Sequence, residues 1–129
     1  MNNHDTQRTS SACTGTDAAA GIKALRPGMR MRDIDNAAKA VFDAAGHGNL
    51  YVFGISHSIG LGFEESPAPT IHLTDSTMTI IEGMTLTVGH SVLSVPGVGG
   101  VRIEDTFYIT PDGPIALTTF PTELTLTII

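Results

Sequence analysis

Residues 101–117 read VRIEDTFYITPDGPIAL, and this stretch decides the fold of the 129-residue chain. It contains two runs rich in β-branched and aromatic side chains, 101–109 and 115–117. Between them, Pro111-Asp112-Gly113 is a turn sequence, because proline presets a turn conformation and glycine accepts positive φ. Strands joined by so short a connection pair antiparallel, so the segment predicts a β-hairpin.

The sequence upstream of this hairpin continues as short β-rich segments back to Gly46. Strands are predicted at 51–55, near 57–61, and at 85–88 with an extension toward Leu93. Gly, Pro and Asp separate these segments, and the chain holds 14 Gly and 7 Pro. The pattern predicts an antiparallel sheet whose strands are joined by turns.

Two helices are predicted before the sheet. The alanine-rich run 17–25 favours the first, which ends at Pro27 because proline lacks an amide hydrogen. In the second, Asp33 is predicted to cap the N-terminus, Asp35 to complement the helix dipole, and Gly46 to end the helix. Its apolar positions recur at spacings of three and four residues: Ile34, Ala37, Ala38, Val41, Phe42 and Ala45. Two helices followed by a sheet indicate the α+β class.

Charge is distributed unevenly along the chain, and the balance limits its partners. The formal net charge is −6, so an anionic membrane or a nucleic-acid backbone would be repelled, and neither is expected as a partner. Residues 1–39 carry +2 and residues 40–129 carry −8. Arg102 is the only Lys or Arg after Lys39, and we expect a carboxylate to hold it.

The location of the protein is predicted from what the sequence lacks. A single cysteine, Cys13, excludes an internal disulfide and a thiolate zinc cluster and fits a reducing cytosol. The polar segment 1–16, expected to be frayed, contains no signal-peptide core, and no apolar run reaches the length of a membrane span. We therefore expect one domain over 17–129 and a cytoplasmic protein.

Four segments in a fixed order resemble one family. They are ALRPG at 24–28, SHSIGL at 56–61, EGMTLT at 82–87 and GGVRIED at 99–105. Their order and glycine placement resemble the C-terminal half of the pita-bread peptidases, which include aminopeptidase P, prolidase, methionine aminopeptidase and creatinase. The resemblance covers about residues 17–125. It implies half of a pita-bread fold, a curved antiparallel sheet with two helices on one face.

The resemblance also implies a metal site. In that family two Asp, one His and two Glu hold two metal ions, which activate a water that attacks the peptide bond. His57 matches the metal-binding His and is our candidate catalytic residue, and Glu104 matches the last metal-binding Glu. The other Glu position falls on Gly89, which has no side chain. Manganese or zinc is the implied ion.

The two Asp positions of the family fall outside the matched segments. An ungapped match from Pro27 back to Gln7-Arg8 places both of them before Met1. A second match aligns Asp5, followed by Arg8-Thr9, with one of the Asp segments at the cost of a deletion. Under the first match at most two of the five ligands are expected in this chain. The second match would add Asp5 as a third.

Two more side chains are assigned to substrate binding, and the candidates also have structural interpretations. Glu64 aligns with a second family His that contacts substrate and shuttles a proton, and Arg102 is assigned to substrate binding only. His57 is equally interpretable as a packed histidine bonded to the backbone, and Glu104 as the partner of Arg102. His90 could replace the missing Glu, although strand alternation turns it to the other face.

These assignments predict an Xaa-Pro aminopeptidase or prolidase-like metallopeptidase whose metal site is incomplete and which is inactive as an isolated chain. A catalytically dead binding module, similar to the peptidase-like domain of the FACT histone chaperone, is one alternative. The other is a metal-free, creatinase-like enzyme in which His57 is the acid/base and Glu104 orients substrate. A half fold leaves an apolar edge uncovered, so we expect a homodimer or a complementary chain, and a peptide as substrate if the protein is active.

Overall fold

The structure, a computed structural model, describes residues 18–89, 93–95 and 99–120. The predicted N-terminal segment 1–16, with Asp5 and Cys13, lies outside the described residues, as does His90. Helix α1 occupies 18–24 of the described part, and helix α2 spans Met31–Ala44. Short 3-10 helices follow at Gly48–Leu50 and Leu73–Thr77. None of the helices described is long and apolar enough to cross a membrane.

Five strands complete the described part of the chain. They are β1 Thr85–Val88, β2 Leu93–Val95, β3 Gly99–Val101, β4 Asp105–Thr110 and β5 Gly113–Ala116. Strands β1, β4 and β5 form an antiparallel sheet with β4 in the centre, and β2 pairs antiparallel with β3. Gly113, at φ 127°, starts β5 directly after the Pro111-Asp112 turn. The predicted hairpin is confirmed.

The core lies between one face of the three-stranded sheet and the helices. Alternate residues of β1 and β4 point to this face, and α2 contributes its apolar stripe. The buried cluster includes Met31, Ile34, Ala38, Leu86, Val88, Phe107 and Ile109. Ile22 of α1 packs against the same cluster. The predicted α+β class, with helices on one face of an antiparallel sheet, is confirmed.

The start of α2 differs from the prediction. Arg30, not Asp33, is the N-cap, since its extended backbone pairs with Thr79 in an isolated bridge. Asp33 lies three residues into the helix, and its carboxylate accepts the Arg30 N–H at 2.8 Å. Gly46 follows the helix at φ 77°, a conformation that favours glycine, so the predicted end of the helix is confirmed.

The segment 51–55 is not a strand, and Asp35 explains why. The Asp35 carboxylate is 3% exposed, and its Oδ1 accepts the N–H groups of Gly54 at 2.7 Å and Ile55 at 3.0 Å. The Tyr51 hydroxyl donates to the same oxygen at 2.8 Å. A side chain therefore accepts the backbone N–H groups that would otherwise bond to a neighbouring strand. The interpretation of Asp35 as a residue complementing the helix dipole was incomplete.

Two further strand predictions were too long. Within 57–61 only Ser58 pairs as in a sheet, through isolated bridges to Glu65 and Leu86. The predicted strand 101–109 is divided, because β3 ends at Val101 and β4 begins at Asp105. Residues 102–104 lie between these strands, so their side chains need not alternate between the two faces of a sheet.

Candidate functional site

The candidate site lies beside β1 on the face opposite the core. Thr87 points away from the core because it alternates with the buried Leu86 and Val88. The segment containing His57 runs next to it, since the Thr87 N–H donates to the His57 carbonyl at 2.8 Å. The His57 N–H in turn donates to Thr87 Oγ1 at 3.4 Å. His57 is thereby fixed against the sheet although its own segment is not a strand.

The central contact of the site joins His57 and Glu104. His57 Nε2 lies 3.0 Å from Glu104 Oε1, and the two side chains are 4% and 23% exposed. His57 Nδ1 lies 2.9 Å from the Ser58 carbonyl. A carbonyl only accepts, so Nδ1 carries a proton and Nε2 is the atom directed at the carboxylate. Two residues 47 positions apart in sequence thus meet through side chains.

Arg102 contacts the other oxygen of the same carboxylate. Its Nε and Nη2 both donate to Glu104 Oε2, at 3.0 Å and 2.5 Å. The expectation that a carboxylate holds Arg102 is confirmed. Glu104 therefore lies between a histidine and a guanidinium, with one oxygen bonded to each.

The pKa values of the pair follow from these contacts. The hydrogen bond from His57 lowers the pKa of Glu104 to about 2; burial opposes this, and Arg102 and Thr87 add to it. Burial disfavours the charged ring of His57, but the Glu104 and Ser58 hydrogen bonds outweigh it and raise the pKa of His57 above its ordinary value. Each shift favours the charged form of its group, so the contact favours an imidazolium paired with a carboxylate.

Glu64 acts on this pair through its charge. Its Oε1 accepts the Thr70 hydroxyl at 3.0 Å, and its negative charge contributes to the raised pKa of His57. Of the four side chains predicted for the site, His57, Glu104 and Arg102 are joined by hydrogen bonds. Whether these residues bind metal or substrate stays a prediction.

Gly89, which the resemblance aligns with a family Glu, leaves no room for a side chain. Its φ is 121°, and a Cβ built there would lie 1.8 Å from the Ile103 carbonyl oxygen and 2.8 Å from Glu104 Cα. The Gly89 N–H donates to the Ile55 carbonyl at 2.9 Å, which holds the backbone in this place. A side chain at 89 would require the segment before Glu104 to move.

The side chains that are present fit one edge of a cation site. Imidazole and carboxylate groups are ligand types that divalent cations accept, and His57 Nε2 and Glu104 Oε1 lie side by side, 3.0 Å apart. Across 18–89, 93–95 and 99–120, however, no three His, Cys, Asp or Glu side chains form a metal-holding group. These two residues fit a metal only with ligands from elsewhere, and they do not form a two-metal centre by themselves.

Two supporting residues escaped the sequence reasoning. Thr87 was predicted only as part of a strand, although the alternation of 85–88 places it on the polar face. The Ser58 carbonyl, which fixes the protonated nitrogen of His57, is a backbone group that a sequence pattern does not single out. Both follow from how the 57–58 segment docks on β1.

Comparisons with known proteins agree with the fold. The model of Metallopeptidase family M24 matches residues 4–111. The putative dipeptidase YkvY of Bacillus subtilis is 36% identical over 106 residues, which are 81% of this chain and 28% of that protein. The Xaa-Pro dipeptidase of Pyrococcus furiosus is 35% identical over 103 residues, covering 80% of this chain and 28% of its own.

Solved structures show the same architecture. The prolidase from Pyrococcus horikoshii OT3 superposes with a TM-score of 0.83 and 26% identity, covering 94% of this chain and 34% of that one. The Xaa-Pro dipeptidase from Bacillus anthracis superposes with a TM-score of 0.83 and 28% identity, covering 93% of this chain and 33% of that one. The resemblance to part of a pita-bread fold is confirmed. The chain spans under a third of the length of the two curated relatives described above.

Proposed function

Because the chain belongs to metallopeptidase family M24, we propose that it is a partial peptidase domain of the Xaa-Pro dipeptidase type, with His57 and Glu104 as divalent-metal ligands. Members of this family generally use divalent metals. We propose further that the 129-residue polypeptide does not complete a two-metal centre alone and does not hydrolyse Xaa-Pro peptides alone. A metal held by His57 and Glu104 would then need further ligands from outside the described residues.

The His57–Glu104 contact carries this proposal. The Ser58 carbonyl holds a proton on Nδ1 of His57, which leaves Nε2 for a metal beside Glu104 Oε1. A metal-binding histidine usually donates its other ring N–H to a carbonyl or carboxylate in this way. A bound divalent ion polarises a peptide carbonyl and lowers the pKa of a bound water.

The proposed incompleteness has two supports. Gly89 provides no carboxylate, and its surroundings exclude a side chain. Among the described residues, the resemblance assigns family ligand positions only to His57 and Glu104, and no three His, Cys, Asp or Glu side chains form a group there. Arg102 already donates hydrogen bonds to Glu104, so a metal would compete with Arg102 for this carboxylate.

An uncovered sheet face supports the proposal of a partner. Tyr108, Ile115 and Leu117 are 41%, 55% and 56% exposed, and the first two pair across β4 and β5. Neighbouring exposed apolar side chains favour association. A second copy bound by an isologous contact is our proposal for the occupant.

Calorimetric titration tests the metal ligands. We expect the chain to bind Mn²⁺ or Zn²⁺ with a Kd on the order of micromolar. Binding should be lost in His57→Ala, because His57 is one of only two ligands proposed from the described residues. His72→Ala is the matched control, because the exposed His72 lies outside the contact set of the site. Equal binding by the chain and by His57→Ala would contradict the assignment. Absence of binding in both would favour the binding module.

A metal-free reaction is the second candidate, favoured by the hydrogen bond between His57 and Glu104. Nε2 of His57 is positioned to give a proton to a substrate atom that displaces Glu104. Creatine hydrolysis in the presence of a chelator, lost in His57→Ala, would support this mechanism over the metallopeptidase.

A further inference from the structure

A buried carboxylate, Asp75, lies beneath the loop that follows His57. Asp75 belongs to the 3-10 helix Leu73–Thr77 and is 7% exposed. Its Oδ2 accepts the Ser66 hydroxyl at 2.7 Å and the Ala68 N–H at 2.9 Å. One oxygen therefore holds the Ser66 side chain before Pro67 and the Ala68 backbone after it.

A chain of hydrogen bonds leads from Pro67 to the His57 ring. The Pro67 carbonyl accepts the Ser58 N–H at 2.8 Å. The Ser58 carbonyl accepts the Glu65 N–H at 3.0 Å and the Nδ1–H of His57 at 2.9 Å. The peptide groups on both sides of Ser58 are thus held by residues 65–67. The position of the Ser58 carbonyl determines how the His57 ring must turn for Nδ1–H to donate to it.

We propose that Asp75 is a positioning residue for His57: by bonding the Ser66 hydroxyl and the Ala68 N–H it holds the loop that fixes the Ser58 carbonyl, and this carbonyl keeps the imidazole directed at Glu104. Asp75 acts on the ring through this relay. The inference rests on the proposed function only in taking Nε2 of His57 as the atom that meets a metal or a substrate.

The chemistry of the contact explains why a carboxylate is needed at position 75. Two donors converge on one oxygen, and an ionised carboxylate forms stronger hydrogen bonds than a neutral acceptor. The bonds from Ser66 and Ala68 also lower the pKa of Asp75, so the group is ionised at neutral pH. Without it the buried Ala68 N–H would lose its acceptor, and the loop would be free to shift.

The test measures hydrogen exchange at the ring itself. In the full chain labelled with ¹⁵N-histidine, the Nδ1–H resonance of His57 is identified by its absence in His57→Ala. We expect Asp75→Ala to speed its exchange with water about tenfold, because the bond to Ser58 opens more often. Asp75→Asn keeps an acceptor oxygen but not the charge, so its exchange rate should lie between those of Asp75→Ala and the parent chain. Titration with Mn²⁺ alone should show an affinity about tenfold lower in Asp75→Ala.

Controls separate positioning from general stability. Asp33→Ala removes another carboxylate that accepts a backbone N–H and should leave the exchange of the His57 ring unchanged. The amide of Ile109, in the core, reports global opening, and it should be accelerated less in Asp75→Ala than the His57 ring proton. A uniform acceleration of both protons would overturn the proposal. Unchanged ring exchange would also overturn it.

A second variant covers the case in which Asp75→Ala does not fold. Ser66→Ala removes one donor and leaves the Ala68 bond, so we expect a smaller acceleration of ring exchange; none would contradict the relay. If the parent chain does not bind Mn²⁺, the metal proposal fails, and the exchange measurement still decides the role of Asp75.

Discussion

Replacement of Gly89 by alanine is expected to lower the free energy of unfolding by about 3 kcal/mol or more, because it combines backbone strain with a steric clash. At φ 121° an L-residue is strained in any surroundings, and the new Cβ would meet the Ile103 carbonyl oxygen at 1.8 Å. Chemical denaturation at neutral pH measures the loss. The segment leading to Glu104 would have to shift, so the His57–Glu104 bond should weaken as well.

A second glycine provides the control for the strain alone. Gly83 has φ 88°, and an added Cβ would find nothing within 4 Å. Gly83→Ala should therefore cost only about 1–2 kcal/mol. Equal losses in the two variants would contradict the close approach of Ile103. Gly89→Glu, which restores the family carboxylate, should destabilise the chain and create no peptidase activity.

Loss of the Glu104 charge is expected to destabilise the chain by about 2–3 kcal/mol at pH 7, and the effect should disappear in acid. The pKa of Glu104 is lowered from 4.5 to about 2, so its stabilisation is present above pH 4.5 and is lost as the pH falls toward 2. The parent chain and Glu104→Gln should thus differ most near neutrality. Most of the difference should be gone by about pH 3.

Urea denaturation of both chains at pH 7 and pH 3 measures this difference. Glu82→Gln is the control, because Glu82 is exposed, and it should change stability little at either pH. A Glu104→Gln effect of the same size at both pH values would mean that the charge of the carboxylate contributes nothing. Glu104 would then stabilise the chain through its hydrogen bonds and not through its charge.

The helices and the hairpin could be predicted because their signals are local. Pro27 ends α1 and Gly46 follows α2, while the turn at 111–112 joins the two strands it was expected to join. The Arg102 contact was also predictable, since one basic side chain stood in an acidic half of the chain. Each of these inferences needs only the chemistry of neighbouring residues or the overall charge.

The supporting network could not be predicted because its members bind backbone groups. Asp35 and Asp75 each hold a loop by accepting N–H groups that become available only in the folded chain. For the same reason the strand expected at 51–55 is replaced by a loop. The tight packing at Gly89 depends on a contact with residues 103–104, which no local pattern reports. His57 and Glu104 were paired through the family resemblance and not through their spacing.

The central claim is that His57 and Glu104 retain ligand positions while this polypeptide alone lacks a working two-metal centre. The most direct test is hydrolysis of an Xaa-Pro dipeptide by the purified 129-residue chain with Mn²⁺ in excess, followed as release of proline beside the His57→Ala variant. We predict that both release proline at the rate of Mn²⁺ in buffer. Hydrolysis above this rate that is lost in His57→Ala would contradict the account, because it would require a complete centre despite Gly89.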